Sequence, residues 1–342
     1  MKKLLLVVAL VAMFAGSAVA ADWNFYGSAR ISTFWVNTDP GVNDVTQYEQ
    51  ALQGNSRIGA KVKVSDELTG RFEYGTSGGN ANIRLLYGTW NFGAGSLTVG
   101  QDYAPLNWFY SNQVFDADAD LLPYGGVYSG RVGQLRLNFG GFQVALVPAS
   151  VSTTGAAVTT EVQIPGIEAA YNMNFDNITV DVGAGYQTYD VKNATIDDNV
   201  ASWVIALGAK AQFGAFYLGG NVYGGSNAGN LISVDTDANR AWNNGVAVIA
   251  ANRVEDTDVI GGLIVAGFAL NDMFNFEVGY GSAKSDYDNA ATPDDKVQSY
   301  YVNSTITMAP GVFVVPELGR IDGYEDGQND ITYFGMKWQI NF

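Results

Sequence analysis

From Trp23 to the terminal Phe342, apolar and polar residues alternate with a period of two, run after run, with glycine-rich or acidic breaks between them. In the first run, DWNFYGSARISTFWV, Trp23, Phe25, Ala29, Ile31 and Trp35 fall on one face. Asn24, Tyr26, Ser28, Arg30 and Ser32 fall on the other. Successive strand residues point to opposite sides, so this pattern describes a strand between two different environments. SRIGAKVKV repeats it, with Ile58, Ala60, Val62 and Val64 opposing Arg57, Lys61 and Lys63. So do IEAAYNMNF at 167–175, FNFEVGYG at 274–281 and the final DITYFGMKWQINF. About 16 such runs are expected, starting near 22, 56, 70, 82, 96, 131, 142, 165, 178, 201, 215, 258, 273, 298, 312 and 330. Two break the rule. The run near 258 (DVIGGLIVAGFAL) is apolar on both faces, and Arg84 shares parity with Trp90 and Phe92, which calls for a bulge near 82.

The connections sort by length. Long loops are expected at 37–55, 104–130, 150–164, 226–257, 285–297 and 321–329, with a medium one at 191–200. Between them come short turns such as GAG at 93–95, GG at 140–141, DN at 176–177, Gly214, ND at 271–272 and APG at 309–311. The short SGGN at 77–80 is the exception. Long and short connections in alternation fit a transmembrane antiparallel β-barrel, with short periplasmic turns and long outer loops. Aromatics flank the short turns (Phe139, Phe142, Phe175, Phe213, Phe216), with Trp23 and Phe342 at the same rim, as an interfacial girdle requires. Sixteen strands leave an aqueous lumen rather than a packed interior.

The bulk properties narrow the function. MKKLLLVVALVAMFAGSAVA has two lysines, an apolar stretch and an Ala-Val-Ala end, and reads as a cleaved export signal over 1–20. Residues 21–342 then form one barrel domain. No later run is long enough to be a membrane helix. The net charge of −16, or −18 without the two signal lysines, argues against nucleic-acid binding. With no histidine and no cysteine, the usual triads and proton shuttles are missing, and no enzyme activity or cofactor is expected. Asp235-Thr236-Asp237-Ala238-Asn239 opens like a calcium loop but lacks the following glycine and distal glutamate, so no metal site is assigned.

FYGSARIS (25–32), SRIGAKV (56–62), NIRLLYGTW (82–90), LTVGQDYAP (97–105), DLLPYGG (120–126), GRVG (130–133) and the terminal Phe342 together resemble the general diffusion porins of Gram-negative outer membranes. The resemblance spans the mature chain. It implies a trimeric outer-membrane pore for small hydrophilic solutes and ions, inserted by the barrel assembly machinery. It also implies that the third long loop, 104–130, folds inward and narrows the channel. Arg57, Arg84 and Arg131 match wall arginines, and Asp120 matches a loop carboxylate. This chain departs from the pattern at Tyr124, where the family has a second loop acid, and at Ser28, where it has a lysine. The short SGGN loop departs from a loop that in relatives clasps a neighbouring subunit.

On this reading Asp116, Asp118 and Asp120 line one side of an aperture, and Arg30, Arg57, Arg71 and Arg84, with Lys61 nearby, line the other. Arg131 has the opposite parity from Gln134, Arg136 and Asn138, so either it sits at the loop end or the strand begins later than 131. Trp338, Ile340 and Phe342 look like a tail signal for barrel insertion. Two other functions fit a barrel. A substrate-specific channel would stack aromatics along the lumen, with Tyr103, Trp108, Tyr110, Tyr124 and Tyr128 as candidates, and a non-conducting adhesin would use the 226–257 loop.

Overall fold

The computed structural model describes residues 21–39, 41, 43–235, 244–250, 252–287, 295–323 and 330–342. The export segment 1–20, most of the Asp235–Asn239 stretch and Arg240 lie outside the described residues.

The chain forms a closed antiparallel barrel of 16 strands. It opens with β1 (Asp22–Asp39), a short β2 (Val45–Leu52), β3 (Arg57–Lys63) and β4 (Leu68–Gly75). β5 (Asn82–Asn91), β6 (Ser96–Tyr103), β7 (Arg131–Phe139) and β8 (Phe142–Val147) follow. After the small β9 (Thr153–Gly155) and β10 (Thr159–Glu161) come β11 (Gly166–Phe175), β12 (Ile178–Lys192), β13 (Asp197–Phe213) and β14 (Phe216–Ser226). The small β15 (Ala247–Ile249) and β16 (Val254–Glu255) precede β17 (Thr257–Ala269) and β18 (Phe274–Tyr287). β19 (Asp295–Ala309), β20 (Val312–Asp322) and β21 (Asp330–Asn341) complete the wall. β21 returns to β1, pairing from Ser28 with Asn341 to Asp39 with Asp330, and this joint closes the sheet.

The expected loops 150–164 and 226–257 hold the small strands β9, β10, β15 and β16, and two further expectations of open loop are corrected on the wall itself. Residues 37–55 contain β2, which pairs with the upper half of β1 from Ile31 to Thr38, while β3 takes the lower half from Asp22 to Ser28. β2 escapes a periodicity search because VTQYEQAL has no apolar face, and all eight of its residues are exposed. The medium loop at 191–200 shrinks to residues 193–196, because β12 and β13 run on as a polar ladder. The bulge foreseen near 82 is present: Glu73 pairs with Leu85 and Tyr74 with Ile83, leaving Arg84 as the extra residue. Arg84 and Leu85 both turn inward, and Leu86 resumes the outer face. At the Phe139–Phe142 hairpin, Gly140 has φ +58°, a left-handed turn conformation that costs glycine little.

The outer face carries exposed Ile58, Trp90, Leu135, Leu207, Val222, Ile264 and Trp338. A contiguous apolar belt of this size would drive aggregation in water but is the matching surface for lipid tails. The inner face departs from a uniformly wet lumen. Phe34, Val204, Val259, Leu263, Val265 and Val315 point inward and are buried under chain that folds into the barrel. β17 is therefore apolar on both sides, with Ile260 and Ile264 facing out. Close approach needs small wall residues. A Cβ on Gly281 would lie 2.1 Å from the Tyr124 carbonyl oxygen, so the inward chain could not seat there against any other residue.

Val222→Arg, on the outer face midway along β14, is expected to cost about 2–4 kcal/mol in a bilayer. Reversible unfolding from lipid vesicles measures it; a loss below about 0.5 kcal/mol would mean that this face does not meet hydrocarbon.

Candidate functional site

The chain leaves β6 at Tyr103 and turns into the barrel over residues 104–130. Its backbone bonds to itself across the loop, as Trp108 N does to Val127 O and Ser129 N to Leu106 O, and carboxylates of the barrel wall take several of the remaining N–H groups. Leu106 N donates to Glu168 Oε2 at 3.0 Å and Asn112 N to Glu277 Oε1 at 2.7 Å. Val114 N and Phe115 N donate to the two oxygens of Glu317 at 2.7 and 2.9 Å. Leaving such a buried N–H unpaired costs about 1–3 kcal/mol, and these acceptors remove that cost. Side chains add to the seat. The Tyr110 hydroxyl donates to Asp181 at 2.5 Å, and Gln113 Nε2 donates to the Tyr333 hydroxyl at 2.9 Å. Phe115 stacks on Tyr333 with ring centroids 3.8 Å apart.

At the loop's tip the backbone turns left-handed. Asp116, Ala117 and Asp118 have φ of 50°, 57° and 62°, and Asp120 and Leu121 have 54° and 55°. Aspartate tolerates this region better than most residues, yet each such residue costs roughly 1–2 kcal/mol. Ion pairs hold the tip in place. Asp118 Oδ2 lies 2.5 Å from Arg30 Nη1, and Oδ1 lies 2.9 Å from Lys337 Nζ. Asn55 Nδ2 donates to the Ala117 carbonyl. Asp118 thus touches the basic wall directly instead of facing it across water. Asp120 is half-buried beside it. Burial pushes its carboxyl up from the usual aspartate range, the Asp118 charge adds to this, and Lys337 and Arg30 oppose it.

The wall arginines share a counter-ion that the sequence reading missed. Glu73, almost fully buried, lies 2.7 Å from Arg84 Nε, 3.1 Å from Arg71 Nη2 and 3.4 Å from Arg57 Nη1. Tyr26 bridges beneath, donating to Glu73 and accepting from Arg71 Nε, each at 2.9 Å. Asn55 orients two guanidiniums, accepting from Arg57 Nε through its carbonyl and from Arg84 Nη1 through its side chain, both at 2.8 Å. Glu73 shares its strand face with Arg71, and that parity was the only available signal. Arg131, the first residue of β7, turns at the strand's end so that Nη1 donates to the Tyr103 hydroxyl at 3.0 Å.

These groups border one cavity of about 510 Å³. Arg30, Arg57, Arg84 and Arg131 lie on its rim, together with Asp116, Asp118 and Asp120. Arg71 and Lys61 do not border it: Arg71 is held below by Tyr26 and Glu73, and Lys61 pairs in register with Arg71 further along β3. Of the five candidate aromatics, Tyr103 and Tyr128 reach the cavity, where each packs edge-on to Phe109. Trp108, Tyr110 and Tyr124 are buried in the apolar filling instead. Arg253 is a loop residue paired with Glu255.

The Gram-negative porin family matches residues 7–326 of this chain. No curated protein matches it. Among solved structures, the outer membrane channel DcaP of Acinetobacter baumannii is similar, with a TM-score of 0.78 and 18% identity, covering 95% of this chain and 99% of that one. OmpT of Vibrio cholerae in its trimer form has a TM-score of 0.61 at 15% identity, covering 94% of this chain and 100% of its own. An anion-selective porin from Comamonas acidovorans has a TM-score of 0.60 at 13% identity, covering 94% and 100%. At these identities the structures carry the fold alone, while the family match carries the relationship. This chain belongs to the Gram-negative porins, outer-membrane barrels that act as channels for passive diffusion.

Proposed function

We propose that residues 104–130 form the constriction of this channel and that it passes small hydrophilic solutes and ions, non-selectively or with a weak preference for cations. The observation that carries this reading is that Asp116, Asp118 and Asp120 meet Arg30, Arg57, Arg84 and Arg131 around a single cavity. Arginine stays charged at any relevant pH. Asp118 closes onto Arg30 and Lys337, and Asp116 and Asp120 with Arg57, Arg84 and Arg131 around the same cavity set up a field across the aperture. Two opposite charges about 4 Å apart attract by only about 1 kcal/mol in bulk water, and more where water is confined. The field orients water and polar solutes, and it penalises apolar molecules that displace that water. Charge is separated here more than it is accumulated, which keeps ion selectivity weak. No catalytic role is assigned.

Three further roles belong to the same reading. The first is a homotrimer, the state in which OmpT of Vibrio cholerae is described. The second is export through the cleaved segment 1–20. The third is insertion by the barrel assembly machinery through Trp338, Ile340 and Phe342. In support of the last, Trp338 and Ile340 face outward on β21, and the terminal Phe342 is 72% exposed at the rim. Phe342 also closes the barrel joint: its N–H donates to Gly27 O at 3.0 Å, and its carbonyl accepts from Gly27 N at 2.6 Å.

Asp116/Asp118/Asp120→Asn is expected to move the reversal potential in a salt gradient toward anions while the barrel stays folded. Selectivity equal to wild type would count against the constriction. The raised Asp120 carboxyl is protonated at low pH and gains its charge only as pH rises through its elevated pKa. The wild-type reversal potential should therefore drift toward cations over that interval, and Asp120→Asn should remove the drift. Deleting Phe342 is expected to lower the yield of heat-modifiable barrel in the outer membrane. Normal insertion of the truncated chain would reject the tail signal.

A further inference from the structure

The chain between β14 and β17 also enters the barrel. Asn227 starts the inward turn at φ 49°. Its side-chain amide donates to the Ala201 carbonyl at 2.9 Å and to Asp256 at 2.7 Å, and its Oδ1 accepts from Thr257 N at 3.0 Å. Ala228, Leu231, Ile232 and Val234 then join the same buried apolar cluster as Leu106, Trp108 and Tyr124 of the first inward loop. Leu231 and Leu106 of the first inward loop both pack against the wall at Gly185, where a Cβ would lie 3.5 and 3.1 Å from their Cδ1 atoms.

The two inward segments are tied to each other. Ser233 N donates to the Tyr128 carbonyl at 2.8 Å, and Asp235 N donates to the Pro123 carbonyl at 3.0 Å. Both bonds fall on the returning limb of the 104–130 loop, which Glu277 and Glu317 do not reach and Glu168 meets only at Ser129. Further out, Asn230 Oδ1 accepts from Ser152 N at 2.9 Å. Above that, β15 pairs with β9 and β16 in a small sheet whose Ala247 and Ile249 pack on Tyr189, Val191 and Val200. The second segment is thus anchored at the mouth and seated in the lumen. Ser233 itself borders the arginine-lined cavity.

We propose that this second inward segment, Asn227–Asp235, sets the bore of the channel jointly with the 104–130 loop, by clamping that loop's returning limb and confining permeation to the arginine-bearing side of β1, β3, β5 and β7. The proposal rests on the reading of the barrel as a conducting pore. The returning limb also meets the wall, where Asn221 Nδ2 donates to the Gly125 carbonyl at 2.7 Å and Ser129 Oγ to Glu168 at 2.9 Å, but these contacts alone leave part of a 16-stranded lumen open to water. Here that part is filled with side chains from both segments, and the size limit follows from the pair.

Leu231→Asp/Ile232→Asp places two carboxylates in the apolar filling and is expected to expel the segment. Single-channel conductance in planar bilayers should rise about twofold, the order expected when a one-sided opening becomes two-sided. Liposome swelling should then admit larger neutral sugars than wild type does. Equal conductance and an equal sugar limit, in a variant that keeps its heat-modifiable mobility, overturn the proposal. Should that variant fail to fold, Ser233→Pro removes the N–H that reaches Tyr128 as well as the hydroxyl, and Ser233→Ala, which keeps the N–H, is the control for the side chain. Ser233→Pro is expected to add steps of larger conductance, and a record as quiet as wild type overturns the proposal. Wild-type protein that does not conduct at all overturns the pore itself, and is told apart by the control trace.

Discussion

A backbone N–H or C=O inside hydrocarbon has no water to bond, so a membrane-spanning sheet must pair every edge. In this chain the requirement is met where β21 lies along β1 and where Phe342 exchanges two hydrogen bonds with Gly27. Everything functional depends on that joint. Closure turns one face of each strand to lipid and the other to an enclosed space, and only an enclosed space gives an inward loop something to narrow.

The same accounting governs the interior. A loop that enters a lumen takes its backbone away from bulk water, and wall carboxylates meet the demand here. Glu168, Glu277 and Glu317 accept from Leu106, Asn112, Val114 and Phe115, which fixes the outgoing limb. The tip then arrives at Arg30 and Lys337 in a left-handed conformation that Asp118 can bear, and two ion pairs offset its cost. On the facing wall one glutamate, Glu73, serves three arginines. Acid and base at this site are therefore structural partners of one another.

The sequence made the barrel legible because lipid enforces alternation on every strand it wets: Trp23, Phe25 and Trp35 face out as their parity requires. It was silent where lipid imposes nothing. β2 lies above the apolar belt and carries no pattern. The inner face obeys no fixed rule either, since Phe34 and Leu263 face inward and are apolar because loops cover them, a contact between distant segments that no local period encodes. Asp116, Asp118, Asp120, Arg30, Arg57, Arg84 and Arg131 were singled out because charge is conspicuous and a family resemblance supplied the pairing. Glu73 was overlooked because an acid beside Arg71 on a lumen face looks like ordinary lining. Arg71 was placed at the opening by parity, which does not give height along a strand; Lys61 was expected above or below the opening, and it lies further along β3.

The central claim is that an open, water-filled path remains beside the two inward loops. Single-channel recording of the purified wild-type protein in a planar bilayer tests it most directly. Discrete, long-lived conductance steps that scale with salt concentration are the predicted result; a protein that inserts as an intact barrel and passes no current would contradict the account.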